Sequence, residues 1–240
     1  MVDSDIPSAF LNFMQQAAAA RVSGAVEPEA QALRAAAQLH PLDEDSLTSL
    51  TQNLIEQQRL GDAIELASII AQLDSGNARA HFRLGYALQI ADRHGEAVAP
   101  YRRALALEPT LPSLRSNLAG ALSLSNGDLR EQTALLEQAV LAHPDDGNAW
   151  TNLANAYRQN LDLSGSLKAG ERAVQCAPSS ALAHNNYALA LREAQRWDAA
   201  LQAAETACTL APDHAGMRSN LSMLQLMRGD YANGWLSHEA

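Results

Sequence analysis

Cysteine is nearly missing from this chain: two in 240 residues, too few for a disulfide framework. Cys176 and Cys208 stand in segments read below as neighbouring units, and they read as small apolar side chains, not as a bridge or a metal pair. Aromatics make up only 5 % of the residues against 47 % apolar, so a core must be built chiefly of alanine and leucine. That suits closely packed helices, since alanine is the best helix former and lets backbones approach. Basic residues are in deficit, 17 against 27 acidic ones, which leaves a formal net charge of −10. Phosphate backbones bind positive surfaces, so nucleic acid is not an expected partner. No apolar run approaches the ~18–20 residues of a membrane span. The first residues, Met-Val-Asp-Ser-Asp-Ile-Pro, are acidic and lack a charged-then-apolar leader. A membrane is therefore not an expected partner, and the expected location is cytoplasmic.

The chemistry-bearing motifs are missing too. There is no His-Glu-x-x-His, no Cys-x-x-Cys, no phosphate-binding glycine loop and no Gly-x-Ser-x-Gly. The seven histidines are scattered. No catalytic residue, metal ligand or cofactor is assigned, and the chain is read as non-enzymatic.

What is present is a period. Pro109, Pro144, Pro178 and Pro212 follow one another at intervals of about 34 residues, a spacing typical of helical repeats. Pro41 lies two such periods before Pro109, with Ser75 where the intervening proline would fall. A period of this size marks stacked supersecondary units that bury a core between neighbours and leave a long surface free. In the clearest unit Trp150, Leu153, Ala154 and Tyr157 fall at i, i+3, i+4 and i+7, one face of a helix. Ser166, Gly170 and Ala173 repeat the spacing in a second segment, and Pro178 stops it. Two short helices and a proline stop make a helical hairpin.

This pattern resembles the tetratricopeptide repeat, whose signature is W-x2-L-G-x2-Y, then A-x3-F, an alanine and a proline, spread over about 34 residues. The 78–111 unit fits with His81, Leu84, Gly85, Leu88, Ala97, Tyr101, Ala104 and Pro109. The 181–214 unit fits with His184, Tyr187, Ala188, Leu191, Ala200, Ala204, Ala207 and Pro212. Unit 112–146 carries one extra residue near Ser123–Asn126, which predicts a longer turn between its helices. Unit 44–77 also conforms, and 147–180 is the unit read first. Segment 10–43 is degenerate, with Gln16 at an expected core position, and reads as a cap after a tail at 1–9. A partial unit runs 215–240. The resemblance implies an all-α, right-handed superhelical solenoid of tandem hairpins.

Small residues recur at the eighth position, Gly85, Ala119, Ala154, Ala188 and Ser222, where larger side chains would force the paired helices apart. Pro100 is expected to cost one backbone bond and bend its helix. His81, His184, Trp150 and Trp197 read as packing residues.

The resemblance also implies a binding face. Members that bind peptides use repeat positions 2, 5, 6, 9, 12 and 13 of the first helix. At position 6 this chain has Asn117, Asn152, Asn186 and Asn220, with Asn155 and Asn185 beside the row. An amide both donates and accepts, so such a row can clamp the backbone of an extended ligand. It is similar to the asparagine ladder in the repeat arm of O-linked GlcNAc transferases. Asparagine is common at this position in the family, and a merely solvated inner face accounts for it equally. From Ala78 onward the same positions carry Arg79, Arg83, Arg158 and Arg192 against Glu193 alone, a balance of +3 in a chain of −10. A groove more positive than its surroundings favours neutral or acidic segments. The carboxylate clamp of chaperone-binding members is absent, since position 5 reads Phe82, Ser116, Thr151, Asn185 and Ser219.

The closing segment Gly-Asp-Tyr-Ala-Asn-Gly-Trp235-Leu-Ser-His238-Glu resembles the G-D-Y-x-x-G-W-x-x-Y-E end of arrays that precede bacterial glycosyltransferase-like domains, with His238 in place of tyrosine. Trp235 and Met227 are expected to pack back on the preceding unit. The expected function is a scaffold holding an extended neutral-to-acidic peptide of a protein partner. The alternatives are the substrate-recruiting arm of a longer bacterial glycosyltransferase, and a homo-oligomeric platform that pairs through the last unit.

Overall fold

Several helix starts among the described residues are set by side-chain caps. Asn77 Oδ1 accepts from the amides of Arg79 and Ala80 at 3.0 and 3.1 Å, and Asp146 Oδ1 accepts from those of Asn148 and Ala149 at 3.0 Å each. Ser180 and His214 do the same for Ala183 and Met217 at 3.3 Å. Each satisfies donors that the first helical turn leaves without a partner.

The computed structural model describes residues 51, 52 and 54–239, with scattered positions between 12 and 36. The expected tail at 1–9 lies outside the described residues, as does most of segment 10–43. Gln16, expected in the core, is exposed, with its Nε2 3.5 Å from Asn12 Oδ1. A primary amide keeps its hydrogen bonds at lower cost in water than in an apolar interior.

The described residues form helices and no strand. They fall into two compact bodies, residues 1–125 and 126–240. In the first body helical residues 51, 52 and 54–56 precede α1 (Leu60–Leu73), α2 (Ala78–Ile90), α3 (His94–Leu107) and α4 (Leu114–Leu124). In the second body come α5 (Leu129–Ala142), α6 (Gly147–Gln159), α7 (Leu163–Cys176), α8 (Ala181–Glu193), α9 (Trp197–Leu210), α10 (Ala215–Met227) and α11 (Tyr231–Glu239). Within each body every helix packs on the next one or two in the chain, as a stack of hairpins requires.

One C-terminal cap recurs on the first helices. In α6 the Leu161 amide donates to the Arg158 carbonyl at 3.0 Å and the Asp162 amide to that of Tyr157 at 2.9 Å. Those are the two bonds of a Schellman motif, and they put the turn residue in the left-handed region. Gln58, Asp92, Leu161 and Gln195 all sit there with φ of 57–60°, and Gly229 with φ 82°. Four residues, 125–128, separate α4 from α5, whereas three separate α2 from α3, α6 from α7 and α8 from α9. The extra residue therefore lies in the turn, as expected.

The prolines end the second helices through the residue before them. Glu108, His143, Ala177 and Ala211 adopt φ of −132 to −139° and ψ of 68–87°, outside the helical region that a following proline disfavours. Pro100, by contrast, stands inside the unbroken α3.

The small eighth-position residues are buried, with Ala119, Ala154, Ala188 and Ser222 at most 2 % exposed. A Cβ on Gly85 would stand 2.6 Å from the Tyr101 ring, so glycine is what lets α3 lie against α2. Where the eighth residue is Ala154, the Ser166 hydroxyl of α7 donates to its carbonyl at 3.0 Å. The leucines between them, among them Leu54, Leu118, Leu136, Leu153 and Leu191, form the interior.

The end of the second body departs from expectation. Leu221 and Leu224 are buried, but Met227 is 56 % and Trp235 57 % exposed. Steps of three residues drift around a helix, so Met227 leaves the face that Leu221 and Leu224 share. In α11 the inward position belongs to Gly234, whose Cβ would meet Leu226 at 2.6 Å, and the next residue, Trp235, points away.

Candidate inner-face binding site

In the second body the first helices α6, α8 and α10 touch in succession, which brings their inner positions together. Asn152 is exposed and has no hydrogen-bond partner among the described residues. Asn155 accepts from Arg158 Nη2 at 3.0 Å, and Arg158 Nη1 lies 3.4 Å from Glu193 Oε1 on α8. Arg192 Nη1 lies 3.3 Å from Met223 Sδ on α10, a weak acceptor that does not neutralise its charge.

Asn185 is not an open member of the row. It is 9 % exposed, its Oδ1 accepts from Asn220 Nδ2 at 2.9 Å, and its Nδ2 lies 3.5 Å from Asn186 Oδ1. Position 5 turns inward on α6 as well, where Thr151 is 2 % exposed and donates to the Gly147 carbonyl at 2.7 Å. The amides left facing outward are Asn152, Asn186 and the free edge of Asn220, with Arg158 and Arg192 beside them. This face can donate and accept along a strand-like ligand while the Arg192 guanidinium attracts acids, the charge of Arg158 being offset by Glu193.

In the first body Arg79, Arg83 and Asn117 line a groove of about 620 Å³ that also takes in Thr51, Gln52 and Ile55 and the start of α4. Its apolar wall is Ile55, Phe82, Tyr86 and Leu111. Sequence reasoning singled out the arginines but missed this wall. Phe82 and Tyr86 occupy inner positions 5 and 9 of the same helix, and that register was the available signal.

A second feature escaped the sequence. The fourth residue of each of these repeat units bonds the carbonyl six residues earlier, at the proline position. Trp150 Nε1 donates to Pro144 O at 2.9 Å, and Arg218 Nη1 to Pro212 O at 2.7 Å. Arg115 reaches Pro109 O, and His81 and His184 place Nε2 at 3.2 Å from Ser75 O and 2.9 Å from Pro178 O. These side chains tie each first helix to the turn before it, which is more than packing.

Burial and Tyr86 raise the Tyr101 hydroxyl, which donates to Gln89 Oε1 at 2.8 Å. Burial and a 2.7 Å bond to Glu137 push Tyr157 up to about 12. Burial raises the Cys208 thiol, and both cysteines are free. Among the described residues no cluster of three or more His, Cys, Asp or Glu has metal-binding geometry, and no helix is long and apolar enough to cross a membrane.

Comparison with known proteins agrees with this geometry. The family model described as tetratricopeptide repeat matches residues 50–112, 120–181, 166–215 and 185–233. A curated relative, the tetratricopeptide repeat-containing protein trd-1 of Caenorhabditis elegans, is 34 % identical over 111 residues. That match covers 46 % of this chain and spans 13 % of the relative's length. Among solved structures, pilF of Pseudomonas aeruginosa aligns with a TM-score of 0.69 at 17 % identity, over 80 % of this chain and 87 % of its own. YrrB, described as a TPR protein with an unusual peptide-binding site, aligns at 0.57 and 16 % identity, over 71 % and 88 %.

Proposed function

Because the chain belongs to the tetratricopeptide-repeat family, whose hairpin arrays serve generally as protein-interaction scaffolds, we propose that it is a non-enzymatic scaffold for an extended, neutral-to-acidic peptide of a protein partner. The peptide lies along the inner positions of the first helices. The observation that carries this reading is the run of outward amides on α6, α8 and α10 with Arg158 and Arg192 beside it. Extended backbone offers alternating donors and acceptors at ~3.3 Å per residue, which amides match without regard to side chains. The partnerless Asn152 amide is available for such bonds, whereas Asn185 is already engaged. Two free thiols suit a reducing, cytoplasmic setting.

The test uses peptides selected from a random display library against the purified chain. Alanine at Asn117, Asn152, Asn186 and Asn220 together abolishes their capture and leaves the helical circular dichroism intact. Added salt weakens capture by the wild type, because exposed charges are screened over ~8 Å at physiological ionic strength. Full capture by the folded quadruple variant rejects the amide row.

A further inference from the structure

We propose that Met223 is a site of reversible oxidation, and that its sulfoxide, held by Arg192, lowers the affinity of the second body's inner face for acidic peptides. The effect on binding rests on the peptide-scaffold reading, whereas the site itself rests on the geometry of α8 and α10.

Three observations single out this methionine. Met223 is 46 % exposed, while Met217 on the same helix is 5 % exposed and closed to a dissolved oxidant. It stands three residues beyond Asn220 on α10, which places it on the inner face beside the amide row. Its Sδ lies 3.3 Å from Arg192 Nη1, and that guanidinium has no carboxylate partner among the described residues. Met227 is exposed as well, at 56 %, but has no hydrogen-bond partner among the described residues. It serves as the comparison within the same helix.

The oxidant is hydrogen peroxide. The Sδ lone pair attacks one peroxide oxygen, and an S–O bond forms as the O–O bond breaks. The hydrogen on the transferred oxygen passes to the departing one, which leaves as water. Sulfur gives up an electron pair that the peroxide takes. The product is a polar sulfoxide, which methionine sulfoxide reductases return to the thioether.

What changes is the acceptor that Arg192 meets. A thioether accepts weakly, so an incoming carboxylate displaces it at little cost. A sulfoxide oxygen is the negative end of the S–O dipole and accepts strongly. The rotatable bonds of methionine let it turn toward the guanidinium. The carboxylate of a ligand must then compete for donors already in use. Glu193 offsets Arg158, so on α6 and α8 it is Arg192 that an acid meets uncompensated, and its engagement is felt in binding.

The test uses the whole purified chain, treated with dilute hydrogen peroxide and then with dithiothreitol to restore its cysteines. Peptide mapping finds added oxygen on Met223 and Met227 and none on Met217. The Arg192 side-chain Nε–Hε resonance, assigned by its loss in Arg192→Lys, shifts on oxidation of the wild type. It does not shift in Met223→Leu, which keeps apolar bulk without the sulfur. An acidic peptide enriched by display binds the oxidised wild type about tenfold more weakly, the size of one charge-assisted hydrogen bond lost to a competitor. Reductases for both sulfoxide epimers restore its binding. Peroxide leaves the affinity of Met223→Leu where it stood before treatment, which separates Met223 from every other methionine.

Met223 unmodified beside an oxidised Met227 overturns the site. An unmoved Arg192 resonance overturns the hold on the sulfoxide. Unchanged peptide affinity of the oxidised wild type, or an equal loss in Met223→Leu, overturns the effect on binding. Failure of the wild type to enrich any peptide overturns the scaffold reading, and the mapping and the resonance still decide the oxidation site by themselves.

Discussion

Leu161 occupies a position that its side chain does not suit. Its φ is 60° and it is 90 % exposed, so it bears left-handed strain and gains no burial. The cause is the Schellman cap, which needs a left-handed residue after α6 whatever the sequence supplies there. At the equivalent position after α10 stands Gly229, which meets the requirement without a Cβ. Left-handed backbone costs a residue with a Cβ about 1–2 kcal/mol, and glycine gives back about 0.5–1 kcal/mol in chain entropy. Leu161→Gly therefore stabilises the second body by about 0.5–1 kcal/mol, read as a higher melting temperature; a lower one would mean that no strain is stored at this turn. Hydrophobic patterning gives no warning of this residue, because backbone conformation and not burial decides its worth.

At the scale of the element, three devices hold the first helices: a capping side chain on α2, α6, α8 and α10, a buried leucine with a small eighth residue, and the bond from the unit's fourth residue to the preceding turn. The second device was legible, since Leu153 and Ala154 follow Trp150 at helical spacing and are 2 % and 1 % exposed. The third was not, because it joins a side chain to a backbone carbonyl and leaves no pattern of residue type: Trp, His and Arg all serve. Leu153→Ala removes burial from a site closed on every side, at a cost of about 2–5 kcal/mol. Because α6 packs only on near neighbours in the chain, the loss is greatest in α5 to α8. Hydrogen exchange measures it, with accelerated amides in those helices as the expected result. Unchanged melting and exchange would place Leu153 off the core face.

For the whole molecule, alkaline stability sums the buried and half-buried tyrosines. Tyr101, Tyr157 and Tyr187 all have hydroxyls raised above the ordinary value of 10, burial being the largest cause in each. A raised folded value means that the native state holds its proton after the unfolded state has lost it. The stabilising contribution is complete below pH ~10, and it declines as pH rises from there toward the folded value, about 12 for Tyr157. Denaturant midpoints should accordingly fall above pH 10. Tyr157→Phe should show a shallower fall than the wild type, since it has no proton to lose there, and an identical slope would show that Tyr157 is not protected.

The amino-acid sequence by itself determined the hairpin, its repetition and the helical face turned inward, because the recurring period, the helical spacing of apolar residues and the proline stops are local properties of the chain. It also placed Asn117, Asn152, Asn186 and Asn220 in one register. What only the tertiary structure decided is which of those groups remain available. Asn185 and Asn220 are far apart in the chain, and the contact of α8 with α10 makes them partners at 2.9 Å. Phe82 became a rigid wall because α3 brings Tyr101 behind it, and Trp235 turned outward because Gly234 took the inward place. Period and residue type set the face on which a side chain stands, but the hydrogen bonds and burial it finds depend on the neighbouring helix, whose approach is set by packing.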